Sequence, residues 1–383
     1  MTSTWSFPTR IKFGVGCVDD LAAEMRGLGG SSAFLVSDRG VVAAGIAQTV
    51  TQVLSEESMN VTLFDGISSN PTEAELIEAT TAFTDSGAEV IIGLGGGSPL
   101  DVAKLVRVLA THEGPIARFD DAAGGSELIT EDLPPMIAIP TTAGTGSEVG
   151  RSGVVTVEST GIKTVIFAPN LIPNVALLDP ALTTSMPPLT TAATGFDALT
   201  HCIEAYCAAA THPMADAIAV SGMRLAAENL VAAVEDGSDL KARGEMMMAA
   251  TMGAVAFQKG LGVCHSLAHP LSAECGLHHG LANAICLPAV LDFNRSAIPG
   301  RIAMIASILG VKGEDEETLA FECAGAVRAL RRKVGLPSSL SEAEVDEDLL
   351  PTLADLAHQD ACHSLNPRAC TAEDMLALYR ACM

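Results

Sequence analysis

Apolar and polar positions in the first half of the chain follow two spacings. Short runs rich in Val, Ile and Leu, at 31–38, 88–97 and 134–140, close on Asp, Gly or Pro and are typical of buried strands. A segment with helical spacing, 71–87, lies between two of these runs. Strands that alternate with helices predict a parallel sheet with crossover helices.

The second half of the chain lacks this alternation. From about Thr190 onward, long segments rich in Ala, Leu and Met keep helical spacing and contain no convincing strand. A length of 383 residues also favours two domains. The sequence therefore predicts an α/β domain at 1–188 and an all-α domain at 189–383, divided within the segment SMPPL.

Charge and composition narrow the class of protein. A formal net charge of −24 disfavours nucleic acid and acidic membranes as partners. No uncharged apolar run is long enough for a membrane span, and the first residues lack the pattern of a signal peptide. The 10 cysteines contain no C-x-x-C pair, which favours reduced thiols. We therefore expect a cytoplasmic protein that acts on small molecules.

The segment GLGGGSPLDVAK (93–104) follows a predicted strand and opens a predicted helix. Its glycines, Gly95–Gly97, allow the backbone to approach a ligand closely, and a helix N-terminus attracts phosphate. Ser98 is predicted as the N-cap, with Pro99 at the first helical position and Asp101 as the capping-box partner. The pattern predicts a pyrophosphate site, and a tight turn that needs glycine is the alternative.

Two further features suit a dinucleotide. The segment TTAGTGSE (141–148) follows the strand that ends at Pro140, and its hydroxyls and glycines can contact the rest of such a ligand, although an ordinary loop has the same composition. Asp38 closes the first predicted strand, where a carboxylate binds the adenosine ribose and repels a 2′-phosphate. This favours NAD over NADP, and a turn cap before Gly40 is the alternative role of Asp38.

Histidines in the predicted helical domain repeat one spacing. Asp197 and His201 are four residues apart in TGFDALTHCIEAY (194–206), so on a helix both project from one face and can share a divalent cation. A hydrogen-bonded pair without metal is the alternative. Glu204 is predicted to accept a hydrogen bond from His201 rather than to bind the metal.

A second segment, CHSLAHPLSAECGLHHG (264–280), must reverse direction if both of its ends bind one metal. On a continuous helix His265 and His279 would lie roughly 21 Å apart, far beyond the reach of one ion. Pro270 and Gly276 permit the reversal. The neighbouring cysteines are interpreted as small apolar side chains rather than as ligands.

Together these motifs resemble the iron-containing, or group III, alcohol dehydrogenase family. GGGSPLDVAK, TTAGTGSE, TGFDALTHCIEAY, and HSLAHPL followed by HHGLANA occur in the family's order over nearly the whole chain. The resemblance implies an amino-terminal Rossmann-like dinucleotide-binding domain and a carboxy-terminal helical metal-binding domain, similar to dehydroquinate synthase. It also implies iron(II), although ligand chemistry alone permits zinc or manganese. We further expect a homo-oligomer, with a dimer as its form.

The resemblance also implies a role for individual residues. His269 is expected beside the nicotinamide and the substrate, as a proton relay or a nicotinamide contact. His279 is preferred to His278 because the family's histidine directly precedes a glycine, here Gly280. The implied metal ligands are Asp197, His201, His265 and His279. The residues implied around NAD are Asp38, Asn70, Gly95, Gly96, Gly97, Ser98, Asp101, Thr141, Thr142, Thr145 and Lys163.

The predicted activity is a metal-dependent, NAD-linked interconversion of a small primary alcohol and its aldehyde. Lys259, in FQKGLG (257–262), resembles the 4-hydroxybutyrate dehydrogenase branch and is predicted to bind the carboxylate of 4-hydroxybutyrate or succinic semialdehyde. Exposure to solvent or support of a local turn is the alternative role for this lysine. The alternative functions are a hydroxyacid–oxoacid transhydrogenase, a lyase of the dehydroquinate synthase type and a catalytically silent NAD-binding protein.

Overall fold

A six-stranded parallel sheet forms the centre of the first structural unit. In the computed structural model, which describes residues 7 and 9–383, this unit comprises Phe7–Thr142 and Gly146–Ser185. The sheet strands are β1 (Arg10–Phe13), β2 (Ser32–Val36), β3 (Asn60–Phe64), β4 (Val90–Gly95), β5 (Met136–Pro140) and β8 (Val175–Leu178). Their order is β1-β8-β5-β4-β2-β3, and every pairing is parallel.

The inner strands β2, β4, β5 and β8 are buried on both faces, which explains why they are continuous apolar runs, whereas the edge strands β1 and β3 are partly exposed. Phe34 and Val36 of β2 belong to one apolar cluster, whereas Ala33 and Leu35 belong to another. The helices of the unit are α1 (Leu21–Gly27), α2 (Arg39–Ala43), α3 (Ile46–Glu56), α4 (Glu73–Ser86) and α5 (Gly97–Thr111). A separate antiparallel hairpin consists of β6 (Ser152–Val157) and β7 (Ile162–Phe167).

The second unit is helical and comprises Ala143–Thr145 and Met186–Met383. Its described residues contain no β-strand. The helices are α6 (Pro188–Cys207), α7 (Pro213–Glu235), α8 (Leu240–Ala256), α9 (Val263–Glu274), α10 (His279–Asn294), α11 (Pro299–Ile308), α12 (Glu316–Lys333), α13 (Leu350–Gln359) and α14 (Ala372–Cys382).

One described helix, α7, is long and apolar enough to cross a membrane by length and composition alone. It packs against α6 and α8 within the helical unit. Small buried residues of α7 allow this close packing: a Cβ added to Gly222 would lie 2.7 Å from Sγ of Cys202 on α6. The same criteria of length and composition are met by core helices of soluble proteins.

The predicted fold class, an α/β unit followed by a helical unit, agrees with these elements. The predicted strand segments contain β2, β4 and β5, and the predicted helix at 71–87 contains α4. The capping box that begins α4 is complete, because the Thr72 side chain accepts from the Glu75 amide while the Glu75 carboxylate accepts from the Thr72 amide. The hairpin of β6 and β7 was not predicted.

Candidate metal and dinucleotide sites

The glycine-rich loop of the first unit joins β4 directly to α5. α5 begins at Gly97, and its N-cap is Gly96, which provides no side-chain hydrogen bond to the helix. The predicted cap at Ser98 is therefore wrong: Ser98 lies inside the first turn, and its hydroxyl donates to the carbonyl of Ser69 at 2.9 Å. Backbone amides at this helix N-terminus are consequently not engaged by a capping side chain, which suits a phosphate group.

In the same loop the backbone at Gly95 lies too close to a neighbouring side chain for a larger residue to fit easily. Gly95 has φ +147°, and a Cβ at this position would lie 2.8 Å from Cγ of Pro99. A Cβ on Gly96 would lie 3.4 Å from the methyl group of Thr142, in the loop after β5. The amide of Thr141 donates to the Gly95 carbonyl at 2.9 Å, so the loops after β4 and β5 are joined.

Asp38, after β2, reaches the same end of the sheet. One carboxylate oxygen accepts from the Val41 amide at 2.9 Å and caps α2, so the alternative capping role is present. The other oxygen, Oδ2, lies 3.3 Å from the position that a Cβ on Gly95 would take. The carboxylate is thus shared between a helix cap and the face of the glycine loop.

The remaining residues implied for NAD divide into groups. Nζ of Lys163 donates to Oδ1 of Asn70 at 3.3 Å, so these two lie together. Asp101 is not a capping residue: its oxygens accept from the Ser147 hydroxyl at 2.6 Å and the Val154 amide at 3.1 Å. Thr145 groups with the helical unit.

Four helical side chains supply the predicted metal donors in the second unit. Asp197 and His201 project from α6, His265 from α9 and His279 from the first position of α10. The chain reverses between α9 and α10 through Gly276, whose φ is +65°. The predicted reversal is therefore present, although Pro270 lies inside α9 rather than at its end.

Oδ1 of Asp197 lies close to Nε2 of each of the three histidines. It lies 3.8 Å from Nε2 of His201 and 3.9 Å from Nε2 of His265. Its distance to Nε2 of His279 is 3.5 Å. Donors placed about 2.1 Å from one tetrahedral ion are roughly 3.4 Å apart, so each of these separations from Asp197 is compatible with a shared divalent cation. The ligand atoms of Asp197, His265 and His279 all lie within 4.8 Å of one another, and His201 does not belong to this closer group.

Burial keeps two of the imidazoles neutral, which is the form that binds metal. It lowers the pKa of His201 to about 4 and the pKa of His279 well below its usual range. Burial by itself would raise the pKa of Asp197, but the neighbouring imidazoles and the amide of Asn283 lower it to about 2. Nδ1 of His201 is also buried without a hydrogen-bond partner among the described residues. A carboxylate beside neutral imidazoles is a donor set suited to iron(II), zinc or manganese.

Glu204 supports a different histidine from the one predicted. Its carboxylate accepts from Nδ1 of His265 at 2.6 Å and from the backbone amides of Cys264 and His265 at 2.7 and 3.3 Å. Burial opposes protonation of His265, but the hydrogen bond to Glu204 and the charge of Glu204 raise the pKa of this histidine overall. The contact fixes the ring so that Nε2 faces Asp197.

Asn283, which the sequence analysis did not identify, lies among the predicted metal ligands. It is fully buried on α10, and its Nδ2 donates to Oδ1 of Asp197 at 2.9 Å. The same nitrogen lies 3.4 Å from Nε2 of His265 and 3.3 Å from Nε2 of His279. Its position one helical turn after His279 is the only signal in the sequence that associates it with the site.

The two adjacent histidines differ in their surroundings. His278 is exposed before α10 begins, whereas His279 belongs to the group of donors formed with Asp197 and His265. Gly280 explains the close approach of this helix to α6, because a Cβ there would lie 2.0 Å from the carbonyl oxygen of Ala193. Only glycine fits this contact, so the glycine that follows His279 has a packing role.

The cysteines near these histidines remain thiols. Burial raises the pKa of Cys202 to about 12 and the pKa of Cys264 well above its usual range. Their sulfurs lie within hydrogen-bond distance of backbone carbonyls, 3.6 Å from Ala249 O and 3.6 Å from Asn283 O. Both behave as small buried side chains.

The structure corrects the role predicted for Lys259. Its side chain is fully buried, and Nζ donates to Oδ1 of Asp216 at 2.5 Å and to the Tyr206 carbonyl at 2.9 Å. Arg301 binds the other oxygen of Asp216 at 2.9 Å. Because its charge is already paired, Lys259 stabilises the turn after α8 and is not placed to bind a substrate carboxylate.

Comparison with known proteins identifies the family. The family model described as "Iron-containing alcohol dehydrogenase" matches residues 8–180 of this chain. The model described as "Fe-containing alcohol dehydrogenase family, C-terminal" matches residues 191–383. The chain is 39% identical to a 4-hydroxybutyrate dehydrogenase of Cupriavidus necator over 96% of each sequence. It is 36% identical to a 1,3-propanediol dehydrogenase of Klebsiella pneumoniae, over 96% of this chain and 95% of the relative.

Solved structures agree with these sequence relationships. The crystal structure of a 1,3-propanediol oxidoreductase is similar with a TM-score of 0.96 and 35% identity, and all of each chain is covered. A sulfoacetaldehyde reductase from Bifidobacterium kashiwanohense, solved with NAD+, has a TM-score of 0.90 and 27% identity over 100% of this chain and 99% of its own. The chain belongs to the iron-containing alcohol dehydrogenase family. The predicted family, fold class and enzyme class are confirmed.

We expect His279→Ala to abolish retention of a bound divalent metal, because it removes a donor 3.5 Å from Asp197. His278→Ala is the matched control and should retain most of the metal. Elemental analysis after desalting measures both, and NAD binding followed by fluorescence should survive in both because the glycine loop lies in the other unit. If His278→Ala lost the metal and His279→Ala kept it, His278 would be the metal ligand instead of His279.

We expect Asp38→Gly to narrow the preference for NAD over NADP by about tenfold or more in kcat/KM, because the repulsion of a 2′-phosphate is removed. Asp38→Asn separates charge from capping, since an asparagine can still cap α2. Both variants should therefore show a weaker preference for NAD over NADP than the wild-type protein. A wild-type protein that uses NADP as well as NAD would show that Asp38 does not face the ribose.

Proposed function

We propose that this protein interconverts a short primary alcohol and its aldehyde with NAD and iron(II). The observation that carries the proposal is the group of donors around Asp197, with separations of 3.5–3.9 Å, in a chain matched over both halves by one dehydrogenase family. The glycine loop at α5 supports a dinucleotide as the second component.

In this proposal each group of residues has a separate task. Asp197, His201, His265 and His279 would hold the divalent metal, which when bound supplies Lewis-acid chemistry toward an alcohol or carbonyl oxygen. Gly95–Gly97 would hold the pyrophosphate, and Asp38 would select NAD by repelling a 2′-phosphate. His269 would accept the hydroxyl proton through Nε2 during oxidation and return it during reduction. Such a proton acceptor must be reachable, and the His269 side chain is 40% exposed.

For the substrate we propose 4-hydroxybutyrate and succinic semialdehyde. The support is the 39% identity to the Cupriavidus necator enzyme of that name. Lys259 contributes nothing to this choice, since it is paired with Asp216. A neutral diol is the second candidate, because the 1,3-propanediol dehydrogenase of Klebsiella pneumoniae is 36% identical over a similar length.

We also propose that the protein works in the cytoplasm as a homodimer without nucleic acid or membrane partners. The formal charge of −24 supports the last point, because like charges repel. Sedimentation of the purified protein tests the assembly directly.

We expect protein reloaded anaerobically with iron(II) to reduce NAD with 4-hydroxybutyrate, at a kcat/KM about tenfold or more above that for 1-butanol. Absorbance of the reduced nicotinamide is the measurement, with 1,3-propanediol as a third substrate and zinc or manganese as alternative metals. A preference for the diol or for butanol would contradict the proposed substrate but not the proposed dehydrogenase activity. Hydride passing to an oxoacid without net reduction of NAD would instead indicate a transhydrogenase.

We expect Lys259→Ala to lower the free energy of unfolding by about 2 kcal/mol, because Asp216 and the Tyr206 carbonyl lose a buried charged donor. Lys241→Ala, at an exposed position, is the matched control and should change stability by less than about 0.5 kcal/mol. Urea denaturation gives both values. Any kinetic effect of Lys259→Ala should be equal for 4-hydroxybutyrate and 1-butanol, and a selective rise in KM for the hydroxy acid would restore the substrate-binding role.

A further inference from the structure

Asp360, which follows α13, is bonded to both ends of a short stretch of α9. Its Oδ2 lies 2.7 Å from Nδ1 of His269, and its Oδ1 accepts from the Ser266 hydroxyl at 2.7 Å. The amide of Cys362 also donates to Oδ1, at 2.8 Å. The Ser266 hydroxyl in turn accepts from the His363 amide at 2.9 Å. This carboxylate therefore ties the turn after α13 to the helix that carries His265 and His269.

The contact determines which nitrogen of His269 carries a proton. An ionised carboxylate can only accept hydrogen bonds, so Nδ1 must be the donor. Burial by itself would raise the pKa of Asp360, but His269 and the other donors lower it, so the carboxylate is ionised. In the neutral ring Nε2 then keeps its lone pair, and no hydrogen bond among the described residues engages that nitrogen.

A metal ion bound by His269, Asp360 and Cys362 is the other interpretation of this cluster, because their donor atoms lie within 4.8 Å of one another. The distance of 2.7 Å between Nδ1 and Oδ2 argues against it, since two ligands of one tetrahedral ion are roughly 3.4 Å apart. Burial and the charge of Asp360 also raise the pKa of the Cys362 thiol well above its usual range. The cluster is a hydrogen-bonded one.

Ring contacts show what this hydrogen bond holds in place. The His269 ring is stacked on the ring of His279, with centroids 5.3 Å apart and planes at 17°. It meets the His265 ring edge-on at 6.0 Å. With a side chain 40% exposed, His269 has space to rotate if the bond at Nδ1 is lost. Stacking alone does not distinguish the two ring nitrogens, whereas Asp360 does.

We propose that Asp360 is a positioning residue that fixes His269 as the Nδ1–H tautomer and so leaves Nε2 as the proton acceptor. The inference rests on the proposed function, because that function gives Nε2 its task. Asp360 itself touches neither substrate nor cofactor in this proposal, and it acts only through His269.

The tautomer is tested without any activity. Two-bond proton–nitrogen NMR spectra of metal-free protein, labelled with 15N-histidine and held at pH 9, should show His269 protonated at Nδ1. His269→Ala assigns the signal by its loss. In Asp360→Asn the remaining oxygen keeps the Ser266 and Cys362 donors, so the amide NH2 faces the ring and should convert His269 to the Nε2–H tautomer. Asp355→Asn, at an exposed position of α13, should leave the spectrum unchanged.

A second arm measures whether Asp360 acts through His269. We expect Asp360→Asn to lower kcat about tenfold to hundredfold while KM for the alcohol and the iron content stay within about twofold of wild type. In a His269→Ala background the same substitution should cost less than about twofold, because the residue it positions is gone. Asp360→Ala checks that the loss does not depend on the asparagine.

The outcomes separate the inference from the proposed function. A wild-type His269 signal with the proton on Nε2, or an unchanged tautomer in Asp360→Asn, overturns the inference whatever the enzyme turns over. An equal loss of kcat with and without His269 also overturns it, because Asp360 would then act on the fold. If the wild-type protein reduces no NAD with any alcohol, the proposed function fails while the NMR result still decides the tautomer.

Discussion

The buried carboxylate of Asp197 is the constraint on which the helical unit depends. A charge in a protein interior is stable only when it is paired, and the described neighbours of this one are the imidazoles of three histidines and a single amide donor from Asn283. Burial lowers the pKa of His201 and of His279, so these two imidazoles carry no charge that would cancel that of Asp197. The helices α6, α9 and α10 thus bring three imidazoles to a buried carboxylate, and in the proposed function a divalent cation would pair with that charge.

Two further carboxylates orient histidine rings on α9. Glu204 holds Nδ1 of His265, and Asp360 holds Nδ1 of His269, four residues later on the same helix. In both cases the acid engages one ring nitrogen and leaves Nε2 directed elsewhere: Nε2 of His265 faces the metal donors, while Nε2 of His269 is free of hydrogen bonds within the described chain. The same kind of contact therefore orients both rings, and the proposed function assigns metal binding to His265 and proton transfer to His269.

The sequence predicted what depends on local periodicity. The four-residue spacing of Asp197 and His201 was sufficient to place both on one face of α6, and the apolar run of β2 was sufficient to predict a buried strand. Contacts made across long stretches of chain were not predictable in this way. Glu204 meets His265 rather than the nearby His201, and Lys259 meets Asp216, which lies 43 residues earlier. Those contacts depend on how the helices pack, and a short sequence motif contains no information about that packing.

The incorrect prediction at Ser98 has a physical explanation that bears on function. Ser98 followed by Asp101 satisfies the pattern of a capping box, yet α5 begins earlier, at Gly97, with the glycine at Gly96 as its N-cap. A side-chain cap would occupy the amides that a pyrophosphate needs. A helix start made of glycine leaves those amides to a ligand and removes the Cβ atoms that would block its approach. In the proposed function a pyrophosphate, rather than a capping side chain, would accept hydrogen bonds from these amides.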